Sequence, residues 1–246
     1  ASMRVIPVPC RSDNYEYLII DEKTKTTAVV DPFDPPKLQA AAEKEGVQLG
    51  QFLLTTHGHH DHAGGNEKTT QLYPNIKVYA GGENVSAVTE VLKDGDKFKI
   101  GELDVKAVYT PCQDTLFISG CGRFFEGEPQ EMHVALNEKL ASLPDDTKVY
   151  CGHEYTTSNV AFSKKVDPEN PAILELEQFC KDNNVTTGKS TIGDEKEWNV
   201  FMRTSSPAVQ KATNTTDPIK AMGVLREMKT AKIFGTQLFS SHNSHR

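Results

Sequence analysis

Twelve residues constrain this chain more than any other stretch: Thr55-Thr56-His57-Gly58-His59-His60-Asp61-His62-Ala63-Gly64-Gly65-Asn66. Four potential metal ligands, His57, His59, Asp61 and His62, crowd into this one turn. The apolar run Phe52-Leu53-Leu54 leads in and a glycine pair leads out. That is the pattern of a buried strand ending in a loop, with a helix opening at Asn66. Alternate side chains of an extended segment share a face, so His57 and His59 are expected to aim at one ion. Asp61 and His62 lie past the bend and are expected to aim at a second, adjacent one. Imidazole with carboxylate suits zinc, with iron or manganese toward the oxygen-rich end. The alternative, a solvated polar loop, has no use for ligands at this density.

The rest of the composition sets outer bounds. A chain of 246 residues, 37 % of them hydrophobic, can bury one large core and carry an appendage. A formal net charge of -7 disfavours nucleic acid or an acidic membrane as partner, so an anionic substrate needs a local basic pocket. The five cysteines, Cys10, Cys112, Cys121, Cys151 and Cys180, are scattered and form no C-x-x-C pair. Reduced thiols in a cytoplasmic compartment are therefore expected, rather than a disulfide framework. No stretch is long and apolar enough to span a bilayer.

Read in order, the chain begins with three short strands, Arg4 to Pro9, Tyr15 to Asp21 and Thr27 to Asp31. Asp34-Pro35-Pro36 opens a helix that Gly46 ends. After the histidine loop come a helix from Asn66 to Leu72, a strand at Lys77 to Ala80 and a second helix from Asn84 to Leu92. A hairpin turns at Gly101-Glu102, Pro129 to Leu143 is helical, and Lys148 to Cys151 is a short strand carrying Gly152-His153. Beyond about Val166 strand signals stop. Helices open at Pro171, at Ser206-Pro207 and at Asp217-Pro218. Domain limits of 3–166 and 167–234 follow, with 235–246 as a frayed polar tail.

His57-x-His59-x-Asp61-His62 resembles the signature of the metallo-β-lactamase superfamily. Gly120-Cys121-Gly122-Arg123-Phe124-Phe125-Glu126-Gly127, Cys151-Gly152-His153-Glu154-Tyr155-Thr156 and Phe201-Met202-Arg203 narrow the resemblance to the glyoxalase II branch, the hydroxyacylglutathione hydrolases. It runs from about Arg4 to about Phe234. It implies an α/β, four-layer αββα sandwich with a small C-terminal all-helical domain. It also implies two divalent ions, zinc first and iron or manganese as alternatives. By resemblance His153 completes the second ion's set, and Asp114, in Asp114-Thr115-Leu116-Phe117, bridges both ions. Arg123, Tyr155, Arg226 and Lys229 match contacts to glutathione. Phe125 stands where many relatives have a tyrosine.

One departure is large. In the family a histidine ligand follows Thr-Pro-Cys, and a pair of strands precedes the bridging aspartate. Here Thr110-Pro111-Cys112 runs through Gln113 straight into Asp114. Losing a central hairpin would cost a sheet more than a domain's usual margin of about 5–15 kcal/mol. A segment present in the protein is therefore favoured over a true deletion. A true deletion would leave the first ion only His57, His59 and Asp114.

The activity the resemblance implies is hydrolysis of S-lactoylglutathione, or another 2-hydroxyacyl-glutathione, in methylglyoxal detoxification. Water activated between two cations attacks the thioester carbonyl, with Asp61 and Asp114 as the catalytic carboxylates. The protein is expected to be a cytoplasmic monomer, a mitochondrial form remaining open, without nucleic-acid or membrane partners. Two alternatives stand beside this one. One is another hydrolase of the superfamily: a lactonase, β-lactamase or phosphodiesterase. The other is an inactive, metal-deficient paralogue.

Overall fold

The computed structural model describes residues 2–125 and 127–233. Glu126 of the glycine-rich motif and the expected tail, 235–246, lie outside the described residues. Six strands form the main sheet in sequence order: β1 (Met3–Cys10), β2 (Asn14–Asp21), β3 (Thr27–Val30), β4 (Phe52–Thr55), β5 (Lys77–Ala80) and β6 (Glu90–Val91). The first three make the expected antiparallel meander, and β3 to β6 pair in parallel. Parallel neighbours need crossovers, which helices supply between β3 and β4 and between β4 and β5, and an irregular loop supplies between β5 and β6. The sheet's two faces carry different partners. Leu18, Ile20, Val29, Leu53 and Val78 pack with Leu38 and Ala42 of α1 (Pro35–Glu45). On the opposite face Ala28, Phe52 and Leu54 meet Phe98, Ile100, Leu103 and Val105 of the hairpin β7 (Lys97–Ile100) and β8 (Leu103–Lys106).

Most of the expected elements form. The α1 helix ends at Gly46 in the left-handed conformation, φ 67°. Two expectations fail for local reasons. Asn84 to Leu92 is not helical: Ala87 sits at φ 60°, which a right-handed helix does not admit, and the segment turns back to lay β6 beside β5. Lys148 to Cys151 is not a strand, because its partner is the turn-rich segment 186–192. The contact is a single bridge, Lys148 to Thr191, flanked by Val149 N–H to Ser190 O at 3.0 Å. The helix expected at Asn66 to Leu72 forms with those bounds. A short helix α2 (His60–Ala63) precedes α3 (Asn66–Leu72).

The Pro129-to-Leu143 helix is real but uneven. It runs as α4 (Pro129–His133), a π-helical stretch (Val134–Lys139) and a 3-10 turn (Leu140–Ser142). Met132 and Leu136 are fully buried on its inner side. Composition alone had not marked α5 (Thr156–Val166) and α7 (Ile192–Trp198). Between and after them come α6 (Pro171–Asp182), α8 (Pro207–Thr213) and α9 (Pro218–Ile233). Asn170, Ser206 and Asp217 accept the first free backbone N–H groups of α6, α8 and α9 through their side chains. The largest core cluster joins Phe117, Ile118, Met132 and Val160 to Ile173, Phe201, Met222 and Leu225. Apolar packing is thus continuous across position 166.

The chain passes through Pro111 to Asp114 as a tight bend, with Asp114 itself at φ 51°. No residue but Gln113 stands between Cys112 and Asp114. The sheet opposite β1–β6 is accordingly split. One piece is β7–β8, and the other is β9 (Leu116–Phe117) with β10 (Gly120–Cys121). Beside this bend, between β1–β3 and the segments 140–152, lies a cavity of about 820 Å³, lined by Tyr17, Ile19, Val30, Leu140 and Val149 and reaching His57 and Asp114. The segment expected between Cys112 and Asp114 is therefore absent from the chain, which closes the connection through Gln113 alone.

Glu16 on β2 is fully buried; Oε2 accepts the Asp34 N–H at 2.8 Å, and Oε1 has no partner among the described residues. Burial pushes its pKa up to about 8. A carboxyl with a raised folded-state pKa stabilises below its unfolded value, and that contribution is lost as pH rises toward 8. Denaturant melts at pH 5 and pH 8 should show Glu16→Gln losing less stability across the interval than the parent, by on the order of 2 kcal/mol. Equal losses would refute the buried, protonated state.

Candidate metal centre

The β4 strand delivers the histidine loop and stops at Thr55. Beyond it the backbone at His59 is still extended, φ -61° and ψ 143°, so the alternation expected of a strand survives in the loop. His57 Nε2 and His59 Nδ1 face each other at 2.9 Å. His60 is exposed and packs edge-on against Phe33. One turn of α2 then brings Asp61 and His62 inward. His62 is buried, and its Nε2 lies 3.2 Å from His153 Nε2. His153 comes from a loop zipped onto the β1–β2 turn. Tyr15 N–H bonds Gly152 O at 2.9 Å and Glu154 N–H bonds Asp13 O at 2.7 Å. Gly152 must lack a side chain there, since a Cβ would stand 2.6 Å from the His62 ring and 3.0 Å from Asp114 Oδ1.

Asp114 stands between the two pairs. Its Oδ2 is 3.7 Å from His57 Nε2 and 3.6 Å from His153 Nε2, and its Oδ1 is 3.7 Å from His62 Nε2. Asp61 Oδ2 lies 3.3 Å from His153 Nε2 and 3.6 Å from His62 Nε2. Two groups emerge whose donor atoms converge: His57, His59 and Asp114, and Asp61, His62 and His153.

The proton inventory decides what such a cluster can hold. His62 Nδ1 is 2.9 Å from Asp31, and His153 Nδ1 is 2.8 Å from Asp13. A carboxylate only accepts, so each Nδ1 carries the proton and each Nε2 is a bare lone pair. Thr56 Oγ1 donates to Asp31 at 2.7 Å and therefore accepts from His57 Nδ1 at 3.0 Å, which leaves His57 Nε2 bare as well. Bare nitrogens and carboxylates facing one another repel unless a cation sits among them. Two nitrogens about 2.05 Å from a tetrahedral ion lie about 3.3 Å apart, close to the 3.2 Å of His62 and His153. The residues present fit a divalent metal centre.

Electrostatics agree. Burial pulls the His62 and His153 pKa values down, but Asp31 for the one and Asp114 with Asp13 for the other outweigh it and leave both raised. Burial first, and then the neighbouring His62 imidazole, carries the His57 pKa down to about 4. Asp114 is partly buried, which works against ionisation, yet His153 and the neighbouring imidazoles hold it below the usual carboxylate range. The cluster is a sink for positive charge.

Sequence reasoning had not marked Asp13, Asn14 or Asp31. Asn14 donates to Asp61 Oδ2 at 2.9 Å, and Asp31 accepts from Thr56 N–H, Thr56 Oγ1 and His62 Nδ1. The available signal was position: each lies at the C-terminal edge of the sheet, where the loops gather. Thr56 links Asp31 to His57. Glu154, beside His153 in sequence, does not touch the cluster but pins its own loop to Tyr15 and Thr186.

The four residues matched to substrate contacts divide into two kinds. Tyr155 is half-exposed and stacks flat on His153, centroids 4.7 Å apart. The Arg123 guanidinium lies 5.9 Å from the Phe125 ring, which in turn meets His59 edge-on. Arg226 and Lys229 do not form a solvated helix face, since each is only 7 % exposed. Arg226 donates to Cys121 O at 2.9 Å, Lys229 donates to Asn159 Oδ1, and Phe201 lies beneath both. Neither meets a carboxylate among the described residues. Burial lowers the Lys229 pKa to about 8.

With this geometry in hand, comparison with known proteins gives a consistent answer. Residues 16–115 match the metallo-beta-lactamase superfamily, and residues 154–231 match the hydroxyacylglutathione hydrolase C-terminus. A probable hydroxyacylglutathione hydrolase of Schizosaccharomyces pombe is 47 % identical over 243 positions, spanning 89 % of this chain and 94 % of that protein. The cytoplasmic hydroxyacylglutathione hydrolase of Arabidopsis thaliana is 42 % identical, spanning 92 % and 98 %. Since 89 % of 246 residues is about 219, some two dozen of the 243 positions aligned to the yeast protein have no residue here. Among solved structures, ETHE1 from Myxococcus xanthus superposes with a TM-score of 0.65 at 22 % identity, covering 93 % of this chain and 91 % of that one. A metallo-beta-lactamase from Staphylococcus aureus gives 0.62 at 18 % identity, covering 100 % and 77 %. These two likenesses speak for the fold.

Proposed function

The chain belongs to the hydroxyacylglutathione hydrolases, the glyoxalase II branch of the metallo-β-lactamase superfamily, and from that premise we infer how its residues cleave S-(2-hydroxyacyl)glutathione to glutathione and a 2-hydroxy acid. The observation that carries the reading is the pairing of two converging donor groups with a buried pair of cations on α9. We assign His57, His59 and Asp114 to one ion and Asp61, His62 and His153 to the other, with Asp114 shared. Zinc is the proposed metal, on the nitrogen-rich donor set. The bound ions supply Lewis acidity and a water acidic enough to lose its proton near neutral pH.

The protein's own part is positional. Asn14 fixes the Asp61 carboxylate at Oδ2, so that group would keep one orientation as a ligand and as the group that orients the attacking hydroxide. Asp31 and Asp13 keep Nε2 of His62 and His153 unprotonated. The departing group is a thiolate with an ordinary pKa of about 8.5, so no proton donor is required at sulfur. We place the carboxylate of the glutathione moiety on Arg226 and Lys229, with Arg123 and Tyr155 along the same route. Residues 167–234 thereby act as the substrate-binding part. Among the described residues no helix is long and apolar enough to cross a membrane. We propose a monomer in the cytoplasm, the compartment that the name of the Arabidopsis relative gives for that protein.

The deciding assay compares S-lactoylglutathione with nitrocefin and a homoserine lactone. Turnover of the thioester alone is expected, and preference for either other substrate would overturn the reading. His59→Ala and His153→Ala should each cut turnover by two orders of magnitude or more and lower the metal content. Unchanged turnover and metal would reject the ligand assignment.

Arg226→Ala should raise KM by roughly tenfold with kcat much less affected, because the contact is remote from the reacting carbon. The same loss on a thioester lacking glutathione would contradict that placement. The Lys229 charge is present below its pKa of about 8 and lost above it. KM for the glutathione thioester should therefore climb as pH passes 8, and Lys229→Arg should flatten the climb. A flat KM in the parent enzyme up to pH 9 would count against Lys229 as the anion seat.

A further inference from the structure

We propose that the two donor groups are unequal: the Asp61–His62–His153 group takes the first divalent ion and keeps it, while the His57–His59–Asp114 group exchanges its ion with solvent. The inference rests on the reading of the centre as metallic. It adds an order of filling and names Asp13 as the residue that sets it.

Three observations separate the groups. The first is what stands behind each imidazole. In the second group both histidines give their Nδ1 proton to a carboxylate of their own, His62 to Asp31 at 2.9 Å and His153 to Asp13 at 2.8 Å. Such a partner fixes the ring, aims Nε2 and strengthens it as a donor, and its loss typically costs about 10–100-fold in metal affinity. In the first group His57 reaches Asp31 only through the Thr56 hydroxyl. His59 turns Nδ1 toward the centre, and its Nε2 has no hydrogen-bond partner among the described residues.

The second observation is the donor count. Asp61 is held by Asn14 at 2.9 Å, and with His62, His153 and a share of Asp114 it completes four positions, the number a tetrahedral ion asks for. His57, His59 and the other share of Asp114 make three. One position of the first group falls to solvent or substrate.

The third is access. The 820 Å³ cavity beside the short Cys112–Asp114 connection is lined by His57, Thr56 and Asp114, two residues of the first group among them, and by none of Asp61, His62 and His153; His59 also lies off it. His62 and His153 are 1 % and 5 % exposed. A chelator or bulk water approaching through the cavity reaches the three-donor group first. At limiting metal the chain would thus carry one ion, and turnover would follow the supply of the second.

The test uses the full chain, stripped of metal and titrated with Zn2+, with Co2+ absorption as a second readout. Two separated binding steps are expected, the tighter at least tenfold stronger. Dialysis against a mild chelator should leave one ion per chain by elemental analysis. His57→Ala should retain that ion and His153→Ala should lose it. Asp13→Asn, a near-isosteric change on a part-exposed side chain, should weaken the tighter step 10–100-fold, leave the looser step in place, and so narrow the gap.

A single step with two equal affinities, joint loss of both ions to the chelator, or retention by His153→Ala but not His57→Ala would overturn the proposal. One retained ion in a chain without thioesterase activity would sink the functional reading and leave this one standing. Full activity with two equivalent ions would do the reverse.

Discussion

One buried carboxylate ties the centre to the fold. Asp31 ends β3 in the left-handed region, φ 50°, and is 4 % exposed. It accepts the Thr56 N–H, the Thr56 hydroxyl and the His62 Nδ1 proton, all within 2.9 Å. Those three bonds hold the strand leaving β4, set the tautomer of His62 and, through Thr56, that of His57. Without that acceptor two of the four inward imidazoles would be free to protonate at the wrong nitrogen, and the convergence of bare donors would be lost.

The other half of the molecule solves a different problem. Two cations on α9 sit over Phe201, and their hydrogen bonds go to Cys121 O, Gly122 O and Asn159 Oδ1 rather than to carboxylates. Burying a charge this way is costly unless something anionic arrives to share it. The helix bearing these cations packs into one apolar cluster with the strands beside His153 and Asp114. The cation pair and the two donor groups are therefore held in a fixed relation, which suits the substrate proposed above.

The shortened connection before Asp114 shows what the architecture tolerates. The second sheet survives as two paired fragments, and the main sheet, its α1 layer and the helical region each keep their own cluster. Beside the short connection an open cavity reaches His57 and Asp114. The missing stretch leaves the topology of the main sheet intact.

Much of this was written into the chain. The packed ligands after Phe52-Leu53-Leu54, the capping residues Asn170, Ser206 and Asp217, and the turn at Gly101 are local signals, because each depends on a few neighbours and a backbone preference. His153 and Asp114 were reached by resemblance, not by local pattern. Asp13, Asn14 and Asp31 looked like ordinary polar residues at strand ends. Nothing near them in sequence announces a role, since their partners lie 140, 47 and 31 residues away. The helix expected at Asn84 and the strand expected at Lys148 failed for the same reason: a neighbouring strand claimed the first, and the second had no strand beside it. The sequence by itself determined which chemistry this protein carries, because ligand type and spacing are properties of the chain. Tertiary structure alone decided which nitrogen of each imidazole is bare and which cations are buried. Protonation and burial are set by what folding brings alongside.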